Sequence, residues 1–128
     1  MDVQIVGVEK RLWSGQATFV SARTVEGDIG LLPGHEPVIA ALNEAGVVRV
    51  DPVEGESFHA AVFGGFLSVT AESVTILAEL AELASEIDTS QAREELSKAE
   101  GGESDDHESQ AAADRARARL RAAGESTD

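Results

Sequence analysis

The sequence predicts a mainly β protein: a sandwich or flattened barrel over residues 1–88, followed by a two-helix hairpin over residues 89–128. Three observations carry that prediction. Turn signals recur about every eight to twelve residues through the first half. The aromatics (Trp13, Phe19, Phe58, Phe63, Phe66), the valines and the prolines all precede Leu77. Beyond it the chain turns Ala/Glu/Leu-rich, and Leu96 and Leu120 are its only large apolar residues after Ile87. The first part can therefore build a core, whereas the tail must dock, pair with itself or stay loose.

The elements follow in order. Val3 to Val8 reads as a first strand, with Gly7 as a bulge. Ser14-Gly15 reads as a turn, and Ala17 to Thr24 as a half-buried strand carrying Phe19 and Val20. Glu26-Gly27-Asp28 is a turn, and Ile29 to Leu32 a short apolar run closed by Pro33-Gly34. Gly46 to Asp51 is a strand, followed by the turn Pro52 to Gly55. Phe58 to Phe63 and Phe66 to Thr70 flank Gly64-Gly65, and Val74 to Ala78 closes the series. Ala78 to Ile87 is expected to run on as a loop or to begin a helix. No helical pattern separates the strands, which argues against a doubly wound parallel sheet.

Asp88-Thr89-Ser90-Gln91 is a helix start, with Asp88 as the cap. Ala92, Leu96 and Ala99 form a narrow stripe, and Glu94 and Lys98 an i, i+4 ion pair. Gly101-Gly102 ends the first helix, and Glu103 to Glu108 is an acidic linker. The second helix spans about Ser109 to Ala123 and stops at Gly124. At about 100° per residue, Ala113, Ala116, Leu120 and Ala123 share one face. Arg115 and Arg119 lie on one flank of it, and Arg117 and Arg121 on the other. A small-residue stripe edged by arginines suits a groove with acidic rims.

Charge and composition exclude several functions. The 128-residue chain has a formal charge of -14 and no cysteine. Disulfides, thiolate catalysis and Cys-ligated zinc are therefore ruled out, and general phosphate-backbone binding to nucleic acid is not expected. Residues 1–88 carry 14 acidic and 4 basic side chains, and residues 89–128 carry 10 and 6. His35, His59 and His107 lack ligand spacing, so no metal site is expected. No nucleophile elbow, P-loop or dinucleotide fingerprint is present. No signal peptide or membrane-spanning run is seen, which suggests an intracellular protein.

The run Glu26-Gly27-Asp28-Ile29-Gly30-Leu31-Leu32-Pro33-Gly34-His35-Glu36-Pro37 is a structured loop system with exposed charge. It resembles the signature loop of the epsilon subunits of F-type ATP synthase. Leu12 to Ala17, Gly46 to Val50, Gly64 to Val69 and Val74 to Glu79 resemble that family's flanking segments in the same order, so the likeness covers about residues 3–88. It implies a flattened sandwich of about ten strands with a C-terminal helical hairpin. It also implies a non-catalytic central-stalk subunit. Such a subunit links gamma to the c-ring in proton-driven ATP synthesis, in contact with the alpha/beta catalytic head. It would sit at the cytoplasmic face of the cell membrane and touch the membrane only through the complex.

On that resemblance, Glu26, Asp28, Leu31 and His35 are candidate contacts to the c-ring or gamma. The hairpin can extend and inhibit ATP hydrolysis, with Arg115, Arg117, Arg119 and Arg121 as candidate inhibitory residues. Some family members bind ATP through an Ile-Asp-x-x-Arg-Ala pattern. Here Ile87-Asp88-Thr89-Ser90-Gln91-Ala92 lacks the arginine. Asp88 and Arg93 are the remaining candidates, and Arg93 lies about 200° around the helix from Gln91. No cofactor is expected. The alternative function is a free-standing β-sandwich protein-binding module with an acidic tail, and a third reading is an enzyme with a spatially assembled carboxylate pair. Co-purification with gamma and c subunits separates these readings.

Overall fold

A computed structural model describes residues 1–8, 10–101 and 107–124. Seven strands come first: β1 (Asp2–Val6), β2 (Arg11–Thr24), β3 (Gly27–Leu31), β4 (Val38–Ala41), β5 (Gly46–Pro52), β6 (Phe58–Val69) and β7 (Ser73–Leu83). A 3₁₀ turn at Ala84–Glu86 leads to helices α1 (Thr89–Gly101) and α2 (His107–Ala122). The acidic segment 103–106 lies outside the described residues.

The strands close on themselves. β1 pairs with β7 in parallel and with β2 antiparallel, and β7, β6, β5 and β2 complete the circuit. β3 adds to β2, and β4 to β6. The sandwich and the flattened barrel are thus one object. Val3, Ile5, Val20, Leu31, Val50, Leu67 and Ile76 fill its interior, fully buried. The resemblance implies about ten strands, and seven are continuous. The difference lies in the three long strands, each of which changes partner midway. β2 faces β1 first and then β3 and β5; β6 faces β5 and then β4; β7 leaves β1 after Leu77.

The bend in β6 is made by Gly64-Gly65, both at positive φ. At Gly65 a Cβ would fall 1.9 Å from the Leu77 carbonyl oxygen. Only glycine permits that approach. The bend turns the Gly65 carbonyl toward the Leu42 N–H (2.9 Å), and the Gly64 N–H donates to Asn43 O (3.0 Å).

Two expectations are corrected. Ser14-Gly15 is no turn: both lie inside β2, opposite Gln4 and Val3 of β1. Gly15 serves packing instead, since a Cβ there would lie 2.8 Å from the Trp13 ring. The chain reverses at Gly7, whose N–H donates to Lys10 O (2.8 Å). Likewise Ala78 to Leu83 is neither loop nor helix but the second half of β7, paired along β6 from Gly65 to Ala60. Ladder pairing there overrides helix-forming composition.

The hairpin begins as its cap predicts, with Asp88 Oδ1 accepting the Gln91 N–H (3.0 Å). It closes at Gly124, in a left-handed conformation with its N–H on Arg121 O (3.0 Å). α2 is buried on two opposite sides. Ala113, Ala116 and Leu120 meet Ala92, Leu96 and Ala99 of α1. Ala118 and Ala122 meet Ala61 and Phe63 of the sandwich. The hairpin is docked, and α2 lies between α1 and the sheet. That docking face is made of methyl groups, worth on the order of 1 kcal/mol each.

Candidate protein-interaction surfaces

The loop system of residues 26–37 does not form one patch. Glu26 and Asp28 are exposed where β2 turns into β3. Thr24 Oγ1 shapes that turn by donating to Gly27 O (2.8 Å) and accepting the Glu26 N–H (3.2 Å). Asp28 faces Arg23 across the hairpin at 3.4 Å. His35 is half-buried beyond the other end of β3, on the order of 15 Å away by strand rise. There the Gly34 N–H donates to Ala71 O (3.0 Å), which pins the loop to the β6–β7 turn. Leu31, expected as a surface contact, is fully buried in the core. Alternation in β3 turns it inward, and the neighbouring Leu32 is the exposed residue (60%). Its side chain therefore offers no surface to a partner.

The four arginines of α2 occupy its two flanks, and the structure separates their roles. Arg119 is largely buried, its side chain 20% exposed. Its Nε donates to Glu82 of β7 (2.7 Å) and its Nη1 to Glu95 of α1 (3.5 Å). Its guanidinium also lies 4.8 Å from the Phe63 ring centroid. One side chain thus ties α2 to both its neighbours. Arg117 pairs with Glu100 and Asp114, each at 3.3 Å. Arg115 and Arg121 face a cleft between α2 and the sandwich.

At the hairpin start, Asp88, Gln91 and Ala92 border a small cavity of about 130 Å³ together with Glu82, Glu95 and Arg119. Arg93 is exposed and does not line it. Three carboxylates surround the one guanidinium there, an electrostatic setting that opposes a phosphate chain. Among the described residues no three His, Asp or Glu side chains gather as a metal site.

One surface carries no motif. Ala41, Phe66, Leu77 and Val6 are cross-strand neighbours in one outward-facing row over β4, β6, β7 and β1. Phe66 is 59% and Leu77 50% exposed, and the adjacent Ile39 is 80% exposed. An uncharged row of this kind on a sheet face marks a contact surface. Its sequence signal is an apolar residue on the outward phase of a half-buried strand. Register must be known before that phase can be read.

A model of the β-sandwich domain of the ATP synthase delta/epsilon chain matches residues 1–84. The ATP synthase epsilon chain of Nocardia farcinica is 62% identical over 96 residues, which cover 75% of this chain and 74% of the relative. That of Mycobacterium avium is 51% identical over 124 residues, covering 97% and 95%. Among solved structures, a chain of the Euglena gracilis mitochondrial ATP synthase, in an assembly of OSCP, F1 and c-ring, shares the fold. Its TM-score is 0.68 at 23% identity, covering 95% of this chain and 76% of the other.

Proposed function

The chain belongs to the ATP synthase delta/epsilon family, and from that premise we propose that it is the epsilon subunit of an F-type ATP synthase. It is a non-catalytic part of the central stalk that joins gamma to the c-ring, so that proton flow drives ATP synthesis in the alpha/beta head. It works at the cytoplasmic face of the cell membrane, held there by the complex. The single observation that carries this reading is the relatedness to epsilon chains across nearly the whole length, hairpin included.

The surfaces divide naturally between partners. The row of Ile39, Phe66 and Leu77 suits an apolar helical face of gamma, because it is broad, uncharged and left open by the docked hairpin. The rigid, charged turn with Glu26 and Asp28 suits polar loops of the c-ring. His35, beyond the far end of β3, lies beside the turn at Ala71 and serves a separate contact.

The docked hairpin is one of two states. Its sandwich-facing side is alanine, and Arg117 and Arg119 are held by surface carboxylates, so a modest free energy separates docked from extended. Extended, Arg115, Arg117, Arg119 and Arg121 face acidic segments of the head and obstruct hydrolysis. ATP does not hold the docked state here: Gln91 replaces the phosphate-binding arginine, and the cavity beside Asp88 is small and rimmed with carboxylates.

Affinity capture of the full chain from detergent-solubilised membranes is expected to bring down gamma and c subunits. Recovery without them favours a free-standing binding module. Deleting residues 109–128 is expected to raise the ATPase activity of the assembled head, and an unchanged rate rejects the inhibitory role.

A further inference from the structure

The turn that folds the hairpin back onto the sandwich is slight. Leu83 and Ile87 both have extended backbones (φ -68°, ψ 148° and φ -81°, ψ 128°), and a single 3₁₀ turn, Ala84–Glu86, redirects the chain between them. No residue of that turn is buried. The Ile87 N–H donates to Ala84 O (3.3 Å), and the Leu83 N–H donates to Glu86 Oε1 (3.3 Å). Lys10 adds an exposed ion pair to Glu86 at 3.8 Å, which contributes little. The turn contains neither proline nor glycine, so nothing in its sequence demands the change of direction. Unwinding its three residues leaves Leu83 to Ile87 as an extended arm about 16 Å long.

The contacts of the docked hairpin are available to a second copy. α2 brings Ala118 and Ala122 to Ala61 and Phe63, and Arg119 to Glu82 (2.7 Å). α1 packs on the far side of α2 and travels with it. A hairpin donated by a neighbour therefore meets the same partners on the sheet. β7 also has an open edge. It lies beside β1 as far as Leu77, and from Ala78 to Leu83 it pairs only with β6 among the described residues. The straightened hinge prolongs that edge, and two such edges related by a two-fold axis run antiparallel and can pair.

We propose that the free chain forms a two-fold dimer by exchanging hairpins, so that each sandwich is covered by the α2 of its neighbour. Exchange of an identical element recreates every α2–sheet contact, and its main costs are association and the loss of one weak turn. It rests on the release of the hairpin proposed above, and it does not depend on the rotor reading. Docking in cis acts at an effective concentration on the order of millimolar, so exchange becomes appreciable near that concentration of chain. Salt favours it, because two chains of -14 repel each other while the docking ion pairs are screened alike in both forms.

The test starts with light scattering of the full chain from micromolar to millimolar concentration, at low and high salt. A dimer is expected near the upper end, more of it in high salt, and forming no faster than α2 opens to hydrogen exchange. Its architecture is read from a mixture of two chains. One carries a nitroxide on Gln110→Cys, on an exposed position of α2 in a protein with no cysteine of its own, and the other is isotope-labelled. Broadening is expected at Val47 and Ala61 of the labelled chain. Removing Ala84, Ser85 and Glu86 leaves the link too short for docking in cis and is expected to lower the dimerisation concentration about a hundredfold. A chain that stays monomeric at millimolar concentration in high salt overturns the proposal, and so does a dimer without broadening on β5 and β6, or a hinge-deleted chain that remains a monomer. A monomer whose α2 amides exchange ahead of the sandwich rejects the exchange of hairpins alone, whereas α2 amides that exchange only with the sandwich reject its release as well.

Discussion

The sandwich and the hairpin are held together by different means. The sandwich buries Val, Ile and Leu side chains on the inward phase of every long strand, and its circuit of pairings is closed. The hairpin buries mostly alanine methyl groups, with Leu96 and Leu120 as its only large contributions. Ion pairs on its flanks do the remaining work, with Arg119 reaching both neighbours. A close-packed aliphatic core is all-or-none, whereas small contacts plus half-exposed charge pairs can be released piecemeal. The difference separates a frame that must persist from an arm that can leave it.

The most damaging test of this contrast is Gly65→Ala. The added methyl would meet the Leu77 carbonyl oxygen at 1.9 Å, in a backbone conformation that alanine avoids. The bend in β6 cannot form without disrupting the β6–β7 ladder. A loss of about 4 kcal/mol or more is expected in denaturant unfolding, and the hairpin should lose its docking surface with it. A mild effect would mean that the closed circuit does not depend on that bend.

Matched truncations come next. Leu67 and Leu120 are both fully buried leucines, one in each region. Leu67→Ala is expected to cost about 2–5 kcal/mol of global stability. Leu120→Ala should remove similar contacts yet leave the sandwich melting nearly unchanged, with rapid exchange confined to α1 and α2. If both lower the same single transition equally, the two regions unfold as one and the contrast fails.

Arg119→Ala sharpens the comparison further. It removes the charge-assisted bonds to Glu82 and Glu95 and the contact with Phe63. Both carboxylates can rehydrate, so about 2 kcal/mol is expected, felt only as undocking of α2. Exchange of α2 amides should rise about thirtyfold, and Arg119→Lys should restore part of the protection. No change in α2 would place the docking energy in the alanine face alone.

These two regions were also unequally legible in the sequence. The two outer ends of the hairpin were readable in the sequence, because their caps are local: Asp88 binds the Gln91 N–H, and Gly124 closes α2. The second buried face of α2, at Ala118 and Ala122, was not, since alanine looks alike whether it faces a sheet or water. In the sandwich the strands around Val20, Val50 and Ile76 announced themselves by alternation, whereas β4, only four residues long, carried too little pattern. Ser14-Gly15 misled because glycine beside a serine looks the same in a turn as under a tryptophan ring. Leu31 and Leu32 show the limit most simply: which of two adjacent leucines faces out depends on one residue of register, which β3 settles by pairing Leu31 with Val20.

The smallest effect expected is at Asp51, on β5, and it tests whether the electrostatics of the two regions are independent. Arg49 Nε donates to Asp51 Oδ1 at 2.9 Å. That bond, and then one from the Ser57 side chain, hold the Asp51 carboxyl below the usual carboxylate range, against an opposing contribution from desolvation. A depressed carboxyl stabilises the fold above the usual carboxylate value, where the unfolded chain is also ionised. That contribution is lost as pH falls from there through the depressed value, because the unfolded chain takes up the proton first. Arg49→Ala should therefore raise the Asp51 midpoint toward the usual value in a carboxyl NMR titration. It should flatten the acid limb of the sandwich's stability curve slightly and leave α2 exchange unmoved. A change at α2 would show that a surface pair on β5 reaches the hairpin, and the frame and the arm would then share one electrostatic field.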